Sequence, residues 1–235
     1  MSAAVPLPVA GETLLALPDR ALLWPRQQTL IVADVHLCKA AAFRRAGVAV
    51  PSGATGADLA RLDALIAAHA PQRLLVLGDL FHTHLSADEP AVAAVEAFRA
   101  RHAGLAITAI RGNHDRAVER LPAAWRIEWI AGALHQPPFV FAHEPAADAR
   151  GVVLAGHLHP VLRLRSRRDA LRLPVYWARA AERIVVLPSF GSFTGGWPVE
   201  PARADTVIAV TPDGLVPIQS GRPLSDLPHD LPCTS

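Results

Sequence analysis

Short apolar runs alternate with polar breaks along this chain, and the spacing of those runs changes between its two halves. In the first half, Leu30 to Ala33, Leu74 to Leu77 and Leu105 to Ile110 have the length of buried strands, and the first two end directly on Asp34 and Gly78-Asp79. Between them, Ala54 to Ala70 sets Leu59, Leu62, Leu65 and Ile66 at helical spacing before Pro71, and Asp88 to His102 sets Val92, Val95 and Phe98 likewise. Such alternation predicts parallel β-α-β units. Residues 13–25 predict two short strands around Pro18-Asp19, a hairpin at a sheet edge.

The second half reads differently. Trp125 to Ile130, Phe139 to Ala142, Val152 to Ala155, Val161 to Leu164, Arg183 to Leu187 and Thr206 to Val210 all have strand character, with few helical stretches between them. An α/β half followed by a strand-rich half predicts a sandwich of two sheets flanked by helices. Twenty-one prolines keep the elements short and the loops numerous. No repeat or linker divides the chain, so one domain is expected over 11–220, between a tail at 1–10 and a proline-rich tail at 221–235.

Composition narrows the class. At 235 residues and 51% hydrophobic, the chain is long and apolar enough for a layered core. A net charge of +2 is weak support for a polyanionic partner, and Lys39 is the only lysine among the basic residues. Cys38 and Cys233 form no CxxC pair, so neither a zinc finger nor a disulfide framework is suggested. The N-terminus lacks a signal-peptide pattern and no apolar run reaches the ~20 residues of a membrane span, which makes a cytoplasmic protein away from membranes the expectation.

Five strand-to-loop transitions carry side chains suited to metal: Asp34-Val35-His36, Gly78-Asp79, Gly112-Asn113-His114-Asp115, His143-Glu144 and Gly156-His157-Leu158-His159. In α/β sheets, ligands gather beyond the carboxyl ends of the strands. Glycines before Asp79, Asn113 and His157 permit sharp turns and close backbone approach. Singly, each element is weak, because Asp-x-His and Gly-Asp are common turns and a lone histidine is commonly a core residue. Together, and each after an apolar run, they resist coincidence. Asp34, His36, Asp79, Asn113, His143, His157 and His159 offer carboxylate, imidazole and amide oxygen without thiolate, a set suited to Mn²⁺, Fe or Zn²⁺. Seven ligands suit two ions sharing a carboxylate, the arrangement that clamps both oxygens of a phosphoryl displacement.

The series D-x-H … G-D … G-N-H-D … H … G-H-x-H resembles that of the calcineurin-like metallophosphoesterase superfamily across residues 34–159. The resemblance implies a four-layer fold in which helices flank two mixed sheets. It implies one ion on Asp34, His36, Asp79 and His159, and another on Asp79, Asn113, His143 and His157, manganese first among the metals. It further implies His114 as proton donor to the leaving group, with Asp115 orienting its ring. Within that superfamily, Asp34 to Gly47, Val50 to Gly53, Gly78 to His82, Phe141 to Pro145, Leu187 to Gly191 and Phe193 to Gly196 resemble the bacterial ligase-associated DNA damage response endonuclease. Cys38 departs from the glycine common there. This closer resemblance implies a DNA substrate in repair, and association with an ATP-dependent DNA ligase, a helicase and a nuclease.

Other residues keep two readings. Lys39, Arg44, Arg163, Arg165 and Arg167 are candidate contacts to a nucleic-acid backbone, and equally a solvated helix face or the wet side of an edge hairpin. His82 and His84 are candidate partners of the ligands or turn residues; Phe190, Phe193 and Trp197 are candidate base-stacking groups or packing residues. The alternative function is hydrolysis of a small nucleotide or other small phosphoester. A non-catalytic scaffold is disfavoured by an intact ligand set with His114.

Overall fold

The first sheet is built in chain order, each strand beside the one before it. Its strands are β1 (Val5–Val9), β2 (Glu12–Ala16), β3 (Leu22–Trp24), β4 (Thr29–Val32), β5 (Arg73–Leu77), β6 (Ala106–Ile110) and β7 (Ile127–Ile130). The first four are antiparallel neighbours and the last four parallel ones. Three helices occupy the crossovers: α1 (Lys39–Arg45), α2 (Ala54–His69) and α3 (Glu89–Arg101). The computed structural model describes residues 3–45, 47–50, 53–82, 89–118, 120–165 and 170–219.

The second sheet collects the rest: β8 (Leu134–Gln136), β9 (Phe139–Phe141), β10 (Val152–Ala155), β11 (Pro160–Arg165), β12 (Ala170–Arg179), β13 (Ile184–Val186), β14 (Trp197–Pro198), β15 (Thr206–Thr211) and β16 (Gly214–Gln219). Its order is β14-β11-β12-β13-β10-β9-β8, and the β15-β16 hairpin pairs onto β12. Here β9 and β10 are parallel, as are β10 and β13. The two sheets face each other across Trp24, Ile31, Leu75 and Leu77 from the first and Phe139, Phe141, Leu154 and Tyr176 from the second, all buried. Each such large apolar side chain contributes about 1.5–3 kcal/mol on burial.

The other face of the first sheet packs under helices, with Leu30, Val32, Leu74 and Val76 meeting Leu59, Leu62 and Leu65 of α2 and Val95 and Phe98 of α3. Helix α2 stops as anticipated, Ala70 turning left-handed at φ 43° ahead of Pro71. Two mixed sheets form the expected sandwich. Among the described residues no α-helix follows β6, and Leu158 and Trp177 pack on a smaller cluster of Val140, Val153, Ile184 and Val186 in the second sheet.

Within the expected tail at 1–10, residues 5–9 form a strand. Val5–Val9 forms the edge strand β1, paired with β2 from Val5↔Ala16 to Val9↔Glu12, with Leu7 and Val9 buried. The β2-β3 hairpin therefore lies one strand in from the edge. Residues 221–235 and Cys233 lie outside the described residues.

Candidate metal centre

Four strands release a polar residue two positions past their ends: Asp34 after β4, Asp79 after β5, His143 after β9 and His157 after β10. Asn113 follows β6 by three. Because β4, β5 and β6 run parallel, as do β9 and β10, all five arrive at one end of the sandwich. The chain turns abruptly there. Asp34, His36, Asp79, His157 and His159 have φ between 48° and 68°, the left-handed region, which costs an L-residue about 1–2 kcal/mol each. Backbone bonds across the loops hold these turns, including His36 N–H to Asp79 O at 2.8 Å, Leu37 N–H to Leu80 O at 2.9 Å and Phe190 N–H to Ala33 O at 2.7 Å.

Three glycines make the convergence possible. A Cβ on Gly78 would lie 2.0 Å from His143 Nδ1, one on Gly112 2.1 Å from Asp79 Oδ1, and one on Gly156 2.5 Å from Asp34 Oδ2. No side chain fits at these positions. Their role as close-approach residues is thus visible in the packing itself.

The hydrogen bonds fix what each side chain presents. Asp79 Oδ1 accepts the His114 backbone N–H at 2.9 Å, and Oδ2 faces His36 Nε2 at 3.7 Å and His143 Nε2 at 3.6 Å. Asp34 accepts the His157 N–H at 2.9 and 3.1 Å, while its Oδ1 lies 3.7 Å from His143 Nδ1 and from His159 Nε2. His143 Nδ1 lies 3.3 Å from Leu77 O, and His159 Nδ1 lies 3.3 Å from Gly195 O. A carbonyl only accepts, so both Nδ1 atoms carry the proton and both Nε2 atoms turn a lone pair inward.

Those lone pairs meet an amide oxygen and other ring nitrogens. His143 Nε2 is 2.9 Å from Asn113 Oδ1 and 3.1 Å from His157 Nδ1, which is itself 3.1 Å from Asn113 Oδ1. His159 Nε2 is 3.3 Å from His36 Nε2, and His36 Nδ1 is buried with no hydrogen-bond partner. The facing lone pairs of His143 Nε2 and Asn113 Oδ1, and the unpartnered ring nitrogen of His36, are satisfied by cations placed among them. Two triads satisfy the spacing of a metal site, Asp34 with His36 and His159, and Asp34 with Asp79 and His143. The residues fit divalent metal.

Burial reinforces the fit. Asp34, His36, Asp79 and His143 are 0, 4, 2 and 5% exposed. Burial raises the Asp79 carboxyl above its ordinary range, with nearby Asp34 adding to the shift, and a bound cation reverses that balance. His36 is held far below the ordinary imidazole range by burial, then by Lys39 and the histidines around it, so it stays neutral as a ligand must.

His114, exposed, opens a short 3₁₀ turn over His114–Ala117. Its ring stacks on His82 (centroids 4.5 Å, 29°) and meets His36 edge-on at 5.2 Å. Burial pushes His82 down to about 4, with Lys39 and His114 adding to it. Asp115 has a different task from the one expected. Its carboxylate is fully buried and accepts backbone N–H groups from Gly112 and Phe81 at 2.9 Å and from Leu80 at 3.3 Å. It ties the β5 loop to the β6 loop, and the group against the His114 ring is His82. Burial lifts Asp115 to about 6 against those three bonds.

Of the candidate nucleic-acid residues, Lys39 opens α1 half-buried, close enough to Asp79 and Asp34 to feel their charge. Arg44 is exposed on the same helix, and Arg163 is exposed on β11. The Arg165 side chain, Arg167 and His84 lie outside the described residues. Phe190 is fully buried, Phe193 packs edge-on against Phe43 at 5.4 Å, and Trp197 is 68% exposed on β14. Cys38 is buried at φ 69°, a conformation that favours glycine, which accounts for glycine in the resembling family. The reading of single residues missed Asp58 and Arg61. Arg61 pairs with Asp58 at 3.2 Å, donates to Phe190 O and lies 4.1 Å over the Phe190 ring, and Asp58 accepts Ser192 N–H at 3.1 Å. They brace the loop that holds Asp34 from its other side.

The model of the calcineurin-like phosphoesterase family matches residues 28–213. The crystal structure of the nuclease MPE of Pseudomonas putida is 38% identical, with a TM-score of 0.80 over 92% of this chain and all of that one. Two others are remote. The Aquifex aeolicus protein AQ665, of unknown function, is 17% identical with a TM-score of 0.40 over 60% of this chain and 81% of its own. Yfce, a phosphoesterase from E. coli, is 19% identical with a TM-score of 0.38 over 81% and 92%. None of the curated proteins matches at a significant level. No helix among the described residues is long and apolar enough to cross a membrane.

Proposed function

The chain belongs to the calcineurin-like phosphoesterase family and is a hydrolase of ester bonds; from that premise we propose that it cleaves phosphodiester bonds of DNA with two divalent ions during repair of DNA damage. The observation that carries the two-ion reading is the meeting of acceptor atoms at His143 Nε2 and Asn113 Oδ1, with the Nε2 atoms of His159 and His36 paired on the other side of Asp79. One ion belongs with Asp34, His36, Asp79 and His159, the other with Asp79, Asn113, His143 and His157. Asp79 Oδ2 stands between His36 and His143, which belong to different sets, the place of a shared ligand.

When bound, such ions lower the pKa of water and polarise the phosphoryl oxygens. The chain's own residues do the rest. Gly112 and the His114 N–H fix Asp79, Asp34 is fixed by the His157 N–H, and His114 stands exposed at the rim to protonate the leaving alkoxide. Manganese suits the mixed carboxylate, imidazole and amide set, with iron or zinc next. The 38% identity to a nuclease supports a nucleic-acid substrate, and the resemblance to the ligase-associated endonucleases supports DNA and partners of the ligase, helicase and nuclease kind.

The test is turnover with Mn²⁺ on single-stranded DNA, duplex DNA, a bis-aryl phosphodiester and an aryl monoester, beside Asp79→Asn. Cleavage of DNA and of the diester, abolished in the variant, is expected. Activity confined to the monoester would hand the case to a small phosphoester, and undiminished activity of the variant would refute the shared ligand.

A further inference from the structure

Beside His159 lies a cavity of about 200 Å³ lined by Arg20, Arg172, Ser192, Thr194 and the glycine pair Gly195-Gly196. Its volume is below the ~300–1,000 Å³ of sites that enclose a whole small molecule. No carboxylate lines it. A larger cavity of about 490 Å³ on the Asn113 and His143 side also holds two arginines, Arg111 and Arg116, but Glu144 shares that wall. The smaller cavity is the one with no carboxylate in its wall.

Its arginines are held yet not neutralised. Arg20 donates one long hydrogen bond, 3.4 Å, to Ser189 O, and Arg172 donates one, 2.8 Å, to Gly196 O. Neither has an ion pair among the described residues. Asp58, whose charge reaches Arg20, is engaged by Arg61 and by the Ser192 N–H. Burial and the charge of Arg61 lower the pKa of Arg20, a strain that an incoming anion relieves. Arg163 stands directly opposite Arg172 in the β11-β12 register, so the two share a face of that hairpin and extend the cationic surface outward.

We infer that the Arg20–Arg172 cavity binds a second phosphate of the substrate, the neighbour of the one at the metal centre. This rests on the phosphodiesterase reading above and adds to it a requirement for a chain of phosphates. Two guanidinium groups supply donors for a phosphate, and guanidinium forks suit its oxygens; the Ser192 and Thr194 hydroxyls are engaged by Asp58 and Gly191 O. His159 links the places: its imidazole faces Asp34 and it lines the cavity. A bis-aryl diester has one phosphate and leaves the cavity unused.

The experiment uses the full chain, Arg172→Ala, and Arg20→Asn, asparagine being tolerant of the φ of 61° at that position. The ratio of kcat/KM on oligothymidylate to kcat/KM on bis(p-nitrophenyl) phosphate, in Mn²⁺, falls at least about tenfold in each variant. Binding of labelled oligothymidylate in EDTA, followed by anisotropy against salt, loses about 0.7 of log–log slope for each phosphate contact removed. An unchanged ratio with an unchanged slope would overturn the subsite. Should Arg20→Asn fail to fold, Arg172→Ala decides alone, since Arg172 is exposed and among the described residues bonds Gly196 O alone. A wild-type chain that cleaves neither substrate refutes the phosphodiesterase reading instead, and the salt slope still judges the cavity.

Discussion

The two sheets bring unlike chemistry to the same place. From the first come both carboxylates, Asp34 and Asp79, at 0 and 2% exposure, with His36 beside them. From the second come imidazoles nearer the solvent: His157 is exposed and His159 partly so, with only His143 buried. The site therefore has a desolvated anionic floor and an imidazole rim. Charges in the floor act with little screening by water, which strengthens their hold on cations and raises the cost of leaving them empty. The rim sits where substrate and solvent enter.

The contrast breaks first at activity. Asp79→Asn lowers the phosphodiesterase rate by about 10³-fold or more, a loss of roughly 4 kcal/mol in transition-state stabilisation. His157→Ala, which removes an exposed and unshared ligand at the rim, costs less, about 10–100-fold. Steady-state kinetics at saturating Mn²⁺ compares them, and a larger loss from His157 than from Asp79 would erase the distinction between floor and rim.

Packing comes next. Gly78→Ala places a methyl 2.0 Å from His143 Nδ1 on a residue at φ 80°. Strain and overpacking together destabilise by about 2–4 kcal/mol, or roughly 5–15 °C in Tm for a chain of this size. Gly104→Ala, whose new methyl would meet nothing within 4 Å and whose φ is not left-handed, is the control and shifts stability by under about 1 kcal/mol. Thermal melts in EDTA read both.

Metal removal probes the floor itself. Stripping the protein with EDTA lowers Tm by several degrees, since a ligand at 100 times its Kd stabilises the folded state by about 2.7 kcal/mol. In EDTA, Asp79→Asn melts at or above the wild-type temperature, because one of two buried carboxylates is gone. A variant less stable than the stripped wild type would contradict an electrostatically costly empty floor. The smallest effect lies behind Asp34: Arg61→Ala leaves Asp58 buried without its partner and costs about 1–3 kcal/mol by melt, largely recovered by adding Asp58→Asn.

Much of the site could be read from the chain because its ligands follow apolar strands closely; the buried runs and the polar residues just after them are both local signals. Strand β1 was harder. Pro6 and Pro8 read as loop residues, yet at an edge they alternate outward while Leu7 and Val9 point in, so the missing N–H groups cost no ladder bond. Asp115 misled for another reason: its partners are backbone groups more than thirty positions away in two of three cases, which no motif records. Arg61 with Phe190 and Asp58 with Ser192 join positions 129 and 134 apart, and only the fold shows them. The sandwich of two sheets was legible because the apolar runs change from alternating strand and helix lengths to strand lengths alone halfway along the chain.

The central claim is that two ions share Asp79 between Asp34, His36 and His159 on one side and Asn113, His143 and His157 on the other. Anomalous diffraction from crystals grown with Mn²⁺ tests it most directly. Two manganese peaks about 3.5–4 Å apart are expected, with Asp79 in contact with both. A single peak, or two peaks with Asp79 touching neither or only one, would contradict it.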